Sequence, residues 1–149
     1  SHRLHPLILA DLGLEAALQS LCRQFSGLSG AHAHLQIETG LPRLEVELEI
    51  TIFRFVQEAL VNAVTHGGAE HISVDLRAAA NLLVLKIDDD GCGFDPLLPS
   101  TGFGLASLRE HTDLLGGSLS LESSVGHGTQ IRIELPLRIV TPDPAVTDD

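Results

Sequence analysis

Three acidic side chains in a row, Asp88, Asp89 and Asp90, stand where an apolar run, Leu82 to Ile87, meets a Gly-Cys-Gly turn at residues 91–93. The run is long enough to lie buried in a sheet. A carboxylate at the buried end of a strand must find a partner, because an unpaired interior charge is costly. The glycines after it let the backbone turn sharply and approach something flat or bulky. The chemistry on offer is recognition, with an acceptor on one wall of a ligand pocket. A second set lies upstream. Glu58 and Asn62 are four apart and share a helix face, and Thr65 and His66 continue the stripe one turn on. An apolar helix with such a stripe either lines a polar cavity or carries a solvated edge there. Spacing alone leaves both readings open.

The elements that must position these groups follow from periodicity. Leu14, Ala17, Leu18, Leu21 and Phe25 fall at helical spacing, which predicts a helix from Leu12, capped by Asp11 and ended by Gly27 and Gly30. His34 to Glu38 alternates like a half-buried strand. A long helix is expected from about Glu45 to His66. Its main apolar face is Val46, Ile50, Phe53, Val56, Leu60 and Val64, widened by Ile52, Ala59 and Ala63. His71 to Leu76 and Leu82 to Asp88 form a hairpin around a turn at Ala78 to Asn81. A two-proline loop, Asp95 to Thr101, precedes a helix from Leu105 to about Leu115. Two final strands, around Leu119–Leu121 and Ile131–Leu135, flank a turn at Gly126-His127-Gly128. This order is not the strict alternation of a doubly wound fold. It predicts an α+β two-layer sandwich: a mixed, mostly antiparallel sheet of about five strands, with about three helices on one face.

Bulk properties narrow the function. The chain has 149 residues, 44% apolar, and a net charge of -11. No basic patch could track phosphates, which argues against a nucleic-acid partner. The single lysine, Lys86, lies in a strand, and there is no Gly-Lys-Ser/Thr triplet of a P-loop. Any bound nucleotide must therefore be neutralised by a metal ion, a helix N-terminus or arginine. Cys22 and Cys92 lack CxxC spacing and read as reduced thiols of a cytosolic protein. With no Trp or Tyr and five Phe, an aromatic platform for bases is not expected. His32 and His34 read as surface residues, with no third metal ligand in view. No apolar run reaches membrane-span length and no signal peptide opens the chain. The opening SHRLHPLIL begins mid-pattern, as in a piece of a longer protein.

Taken together, Glu58-Ala-Leu-Val-Asn62, Asp89-Asp90-Gly91-Cys92-Gly93-Phe94, Gly102-Phe103-Gly104-Leu105 and Gly126-His127-Gly128-Thr129 form one ordered pattern. In that order the chain resembles the ATP-binding domain of two-component sensor histidine kinases, the Bergerat fold shared with gyrase-type topoisomerases and the ninety-kilodalton heat-shock chaperone. The likeness runs from about Leu12 to Leu137 and is nearest the nitrate/nitrite-sensor branch. That branch is suggested by Leu12-Gly13-Leu14, by Gln57-Glu58-Ala59-Leu60 with Asn62-Ala63, and by the short loop between Phe94 and Gly102.

The resemblance implies ATP and Mg²⁺ as cofactors. Asp89, two before Gly91, matches the aspartate that accepts from the exocyclic amine of adenine, where guanine offers no donor. Gly91 and Gly93 would leave room for the base. Asn62 matches the magnesium ligand, and Glu58 the acid that orients the reacting group. His66 stands where the family often has a basic phosphate contact. Gly102 and Gly104 resemble a lid hinge, which with Leu105 brings helix N-terminal amides near phosphate. Thr129 resembles the hydroxyl that supports Asp89 and the adenine through water. Arg109 reads as a surface helix residue.

None of the eight histidines is followed by Asp or Glu, the context of the phosphoacceptor in this branch. The expected organisation is a remnant of an upstream dimerisation and phosphoacceptor region at 1–10, an ATP-binding domain at 11–138 and a disordered tail at 139–149. The implied function is γ-phosphoryl transfer to histidine and onward to a response regulator. The full-length protein would be a homodimer with this domain in the cytoplasm, and an inner-membrane anchor elsewhere stays open. The alternatives are a stand-alone ATPase module and an anti-sigma-type serine kinase.

Overall fold

A computed structural model describes residues 12–97 and 104–140. Asp11, Gly102, most of the two-proline loop, the expected remnant at 1–10 and residues 141–149 lie outside the described residues. The elements are α1 (Leu14–Ser29), β1 (His32–Ile37), α2 (Val46–Val61), β2 (His71–Ala79), β3 (Leu82–Asp89), α3 (Leu105–Leu114), β4 (Ser118–Ser123) and β5 (Thr129–Pro136). The five strands form one sheet in the order β1-β2-β3-β5-β4. β1 runs parallel to β2, and every other pairing is antiparallel. The expected mixed sheet and three helices are present, in the expected order.

Alternation explains why the helices collect on one side. Ile72, Val74 and Leu76 of β2, Leu83, Leu85 and Ile87 of β3, and Ile131, Ile133 and Leu135 of β5 are buried and share the helix-covered face. Their neighbours Asp75, Arg77, Lys86, Arg132 and Glu134 belong to the other face, where Arg77 pairs with Asp75 and Arg132 with Glu134 at 2.8 Å. These are surface pairs of small energetic weight.

α1 buries Leu14, Ala17, Leu18 and Leu21, and ends at Gly30, whose φ of 78° is the left-handed cap. Gly27 lies inside this helix rather than ending it. Its missing side chain carries no packing role, since nothing lies within 4 Å of where a Cβ would be.

α2 departs from its expected face. Val46 is 62% exposed and Ile50 and Val64 are half-buried, whereas Leu48, Ile52, Phe55, Val56, Ala59 and Leu60 are buried. A helix with apolar residues around most of its girth has no unique moment, and the packed face is set by the sheet beneath it.

Two strand ends also differ from expectation. β2 runs on to Ala79, so its turn is shorter, with Ala80 at a positive φ of 56°. The chain also remains paired past the expected boundary at 138. Ile139 bridges Leu44, and the Val140 N–H donates to the Arg43 carbonyl at 2.9 Å.

Candidate nucleotide site

The end of α2 is not a plain α-helix. Asn62–His66 forms a π-helical turn, in which the Gly67 N–H donates to the Asn62 carbonyl five residues back at 3.0 Å. Such turns are rare and concentrate at functional sites. Here the turn holds both Asn62 and His66, and the Asn62 side-chain oxygen is buried.

Opposite it, β3 ends at Asp89, in register with Thr129 of β5. The three successive carboxylates have different fates. Asp88 is exposed, in register between Ser73 and Gln130. Asp90 turns away: it accepts from the Glu70 N–H at 2.8 Å, the His71 N–H at 2.9 Å and the His71 ring at 2.9 Å. The His71 contacts lead in pulling its pKa down to about 2. Asp89 alone of the three lines a cavity. Burial pushes its pKa above the usual carboxylate range, opposed by the Gly91 N–H, which donates to it at 2.8 Å, and by the Thr129 backbone N–H.

That cavity, about 50 Å³, lies between the π-helical turn and the ends of β3 and β5. Of the residues singled out in the sequence, Asn62, His66, Asp89, Gly93, Leu105 and Thr129 line it. Ala59, Ala63, Gly67, Ile87, Phe94 and Ile131 complete the walls. A volume of that size holds only a few waters at about 10–15 Å³ each.

The glycine turn is fastened on both sides. The Cys92 N–H donates to the Gly67 carbonyl at 2.8 Å, and the Gly126 N–H donates to the Cys92 carbonyl at 2.6 Å. Gly91 is not among the residues that line this cavity. The place of its Cβ is taken by the Gly67 carbonyl at 2.9 Å, so its smallness serves backbone packing. Gly93 does line the cavity, with a φ of 63°, and a side chain there would strike the Ser124 and Gly128 carbonyls.

Glu58 and Gly104 lie next door. They line a groove of about 320 Å³ between α2 and α3, with Arg54, Phe55, Ser107 and His111. A Cβ at Gly104 would run into the Glu58 carboxylate, so the start of α3 rests directly on that acid. Arg109 stays outside both spaces, its guanidinium 3.5 Å from the Leu119 carbonyl.

Sequence reasoning missed Ser123, whose hydroxyl accepts from the Phe94 N–H at 2.9 Å and donates to the Gly128 carbonyl at 2.9 Å. It also missed the π-helical turn. Neither leaves a periodic signal: the turn is a local change of hydrogen-bond step without a compositional mark, and Ser123 depends on a segment distant in the chain.

Among the described residues no cluster of three His, Cys, Asp or Glu could hold a metal ion. A magnesium ion suits the site all the same. It takes oxygen ligands, needs few of them from protein when phosphates supply the rest, and would find the buried Asn62 oxygen at the cavity wall.

The fold together with a family comparison gives the class of protein, an ATPase-type domain. Residues 47–139 match the family described as "Histidine kinase-, DNA gyrase B-, and HSP90-like ATPase". The chain belongs to that family.

The chain is 33% identical over 141 residues to the oxygen sensor histidine kinase NreB of Staphylococcus carnosus, covering 92% of this chain and 40% of that protein. It is 34% identical over 141 residues to the signal transduction histidine-protein kinase/phosphatase DegS of Bacillus subtilis, covering 90% of this chain and 37% of that protein. The chain thus spans about two fifths of the curated relatives it matches. Among solved structures, the blue-light activated histidine kinase of Erythrobacter litoralis superposes with a TM-score of 0.66 at 25% identity, over 83% of this chain and 42% of that one. The histidine kinase AdeS of Acinetobacter baumannii shares the fold, with a TM-score of 0.67 at 15% identity, over 89% and 74%.

Proposed function

We propose that this domain binds Mg-ATP and presents its γ-phosphoryl group to a histidine on an upstream dimerising domain, from which it passes to a response regulator. The observation that carries the reading is that Asp89 and Asn62, from different elements, line one cavity. Asp89 is held by backbone N–H groups and takes the exocyclic amine of adenine, a charged hydrogen bond worth about 1.5–3 kcal/mol. Thr129 supports it from the paired strand. Asn62 offers an oxygen to magnesium, which when bound neutralises phosphate charge that a chain of net charge -11 cannot neutralise with lysine. His66 lies along the same wall as a phosphate contact, and Leu105 brings the N-terminal amides of α3 to that side.

Glu58, one turn before Asn62, faces the adjoining groove and there orients the attacking group. Gly104 lines the groove and Leu105, next in the chain, lines the cavity, and the reacting phosphate reaches from the second toward the first. Among the described residues no helix is long and apolar enough to cross a membrane. We place the domain where ATP is available, in the cytoplasm, within a dimeric full-length protein.

Calorimetric titration with ATP, with and without magnesium, tests the reading. In the parent, magnesium should tighten binding. In Asn62→Ala that magnesium-dependent gain should vanish while the melting transition is kept. An unchanged gain in the variant would contradict the assignment.

A further inference from the structure

The hydroxyl of Ser123 has three neighbours and one proton. The Phe94 N–H donates to it at 2.9 Å, the Gly128 carbonyl stands at 2.9 Å and the Thr129 hydroxyl at 3.0 Å. Its one proton can go to the Gly128 carbonyl or to Thr129, and we assign it to the carbonyl, which is the nearer at 2.9 Å and, unlike the Thr129 hydroxyl, has no proton of its own to give back. Thr129 must then donate its own proton to Ser123, since two hydroxyl oxygens 3.0 Å apart need one proton between them. This fixes what Thr129 has left to offer. Its proton is committed to Ser123, and only lone pairs remain for the cavity it lines. Asp89, in register with Thr129, is an acceptor as well when ionised. The wall formed by these two residues therefore demands donors.

We propose that Ser123 is a positioning residue that sets purine specificity: by fixing the Thr129 hydroxyl it makes the cavity accept a 6-amino purine and reject a 6-oxo purine. The 6-amino group brings two N–H donors to two acceptors. A 6-oxo group brings lone pairs against lone pairs. Without Ser123, the Thr129 hydroxyl rotates and can donate to a 6-oxo group, directly or through water. This inference rests on the reading of Asp89 as the base contact.

ATP and inosine triphosphate differ at position 6 and in the N1 proton beside it, so the change in their affinity ratio between parent and variant, in which the N1 difference is common to both, reads the effect. Each would be titrated calorimetrically into the parent, Ser123→Ala, Ser123→Thr, Thr129→Val and the Ser123→Ala/Thr129→Val double variant. The parent should prefer ATP. Ser123→Ala should lower the ATP to inosine triphosphate ratio by about three- to tenfold, the scale of one neutral hydrogen bond. Ser123→Thr should restore it. The double variant should change the ratio no more than Thr129→Val alone, because Ser123 acts through Thr129.

A merely structural role for Ser123 would weaken both nucleotides in proportion, and that result, or an unaltered ratio, overturns the proposal. Should Ser123→Ala not fold, Thr129→Val together with Ser123→Thr decides: the ratio must fall in the first and hold in the second, and any other pattern overturns it. A parent that binds both nucleotides equally would remove the base reading itself, whereas a selective parent with an insensitive Ser123→Ala removes this inference alone.

Discussion

The two ends of α2 each border a cavity that contains a carboxylate, and the two carboxylates are treated in opposite ways. At the start of the helix Glu49 is only 3% exposed, beside a cleft of about 280 Å³ lined by Gly13, Arg43 and Leu44. Its charge is answered from within the protein. The Arg43 Nε donates to it at 3.1 Å and the Leu44 N–H at 3.4 Å. At the far end the cavity is much smaller, about 50 Å³, and Asp89 is held by backbone N–H groups alone while burial lifts its pKa. Size therefore does not locate the binding site. A buried acid with a cationic partner stabilises the fold, whereas a half-buried acid without one is held ready for a ligand that brings donors.

The sharpest way to break this contrast is to remove each acid in turn. Asp89→Asn is expected to weaken ATP binding by about tenfold to a hundredfold, the value of a charged hydrogen bond. Stability should not fall with it. A carboxyl whose folded pKa is raised contributes most to stability at low pH and loses that contribution as pH rises through the raised pKa. At neutral pH the ionised group is thus a cost that asparagine lacks. The same sign governs the ligand: the parent's ATP affinity should decline as pH falls through the raised pKa, at higher pH than an ordinary carboxylate would show. Calorimetry across a pH series, paired with thermal melts, reads both effects. Lower melting for Asp89→Asn with unchanged affinity would reverse the contrast.

Glu49→Ala should do the opposite and less. It leaves Arg43 half exposed to water, so the ion pair itself is worth little, and the loss is the buried hydrogen bond and packing. A fall of about 1–3 kcal/mol in urea denaturation is expected, with ATP affinity unchanged. If ATP affinity fell with stability, the two ends of α2 would be coupled, and Glu49 could not be assigned to the fold alone.

The fold was legible because local patterns carry it, and the candidate site because an ordered set of motifs resembles a known family. Alternation marks β2, β3 and β5, and the four-residue step from Glu58 to Asn62 fixes a shared face. Among the three aspartates, the family pattern that the chain resembles singles out Asp89, two before Gly91, and the ladder places its neighbours elsewhere: Asp88 belongs to the open face and Asp90 is bound to His71 and Glu70. What stayed hidden depends on partners far away in the chain. The π-helical turn is a change of hydrogen-bond ladder with no compositional mark. The Gly67 carbonyl stands 2.9 Å from where a Gly91 Cβ would be, and nothing local links residue 91 to residue 67. Ser123 looks like any strand-end serine until Phe94, Gly128 and Thr129 converge on it.

The central claim is that one cavity holds the purine at Asp89 and the metal at Asn62. A crystal structure with magnesium and a non-hydrolysable ATP analogue tests it most directly. The exocyclic amine should lie within hydrogen-bonding distance of the Asp89 carboxylate, and the ion should be bound by the Asn62 side-chain oxygen. Density for the base in the Arg43–Glu49 cleft, or in the groove beside Arg54 and His111, would contradict it.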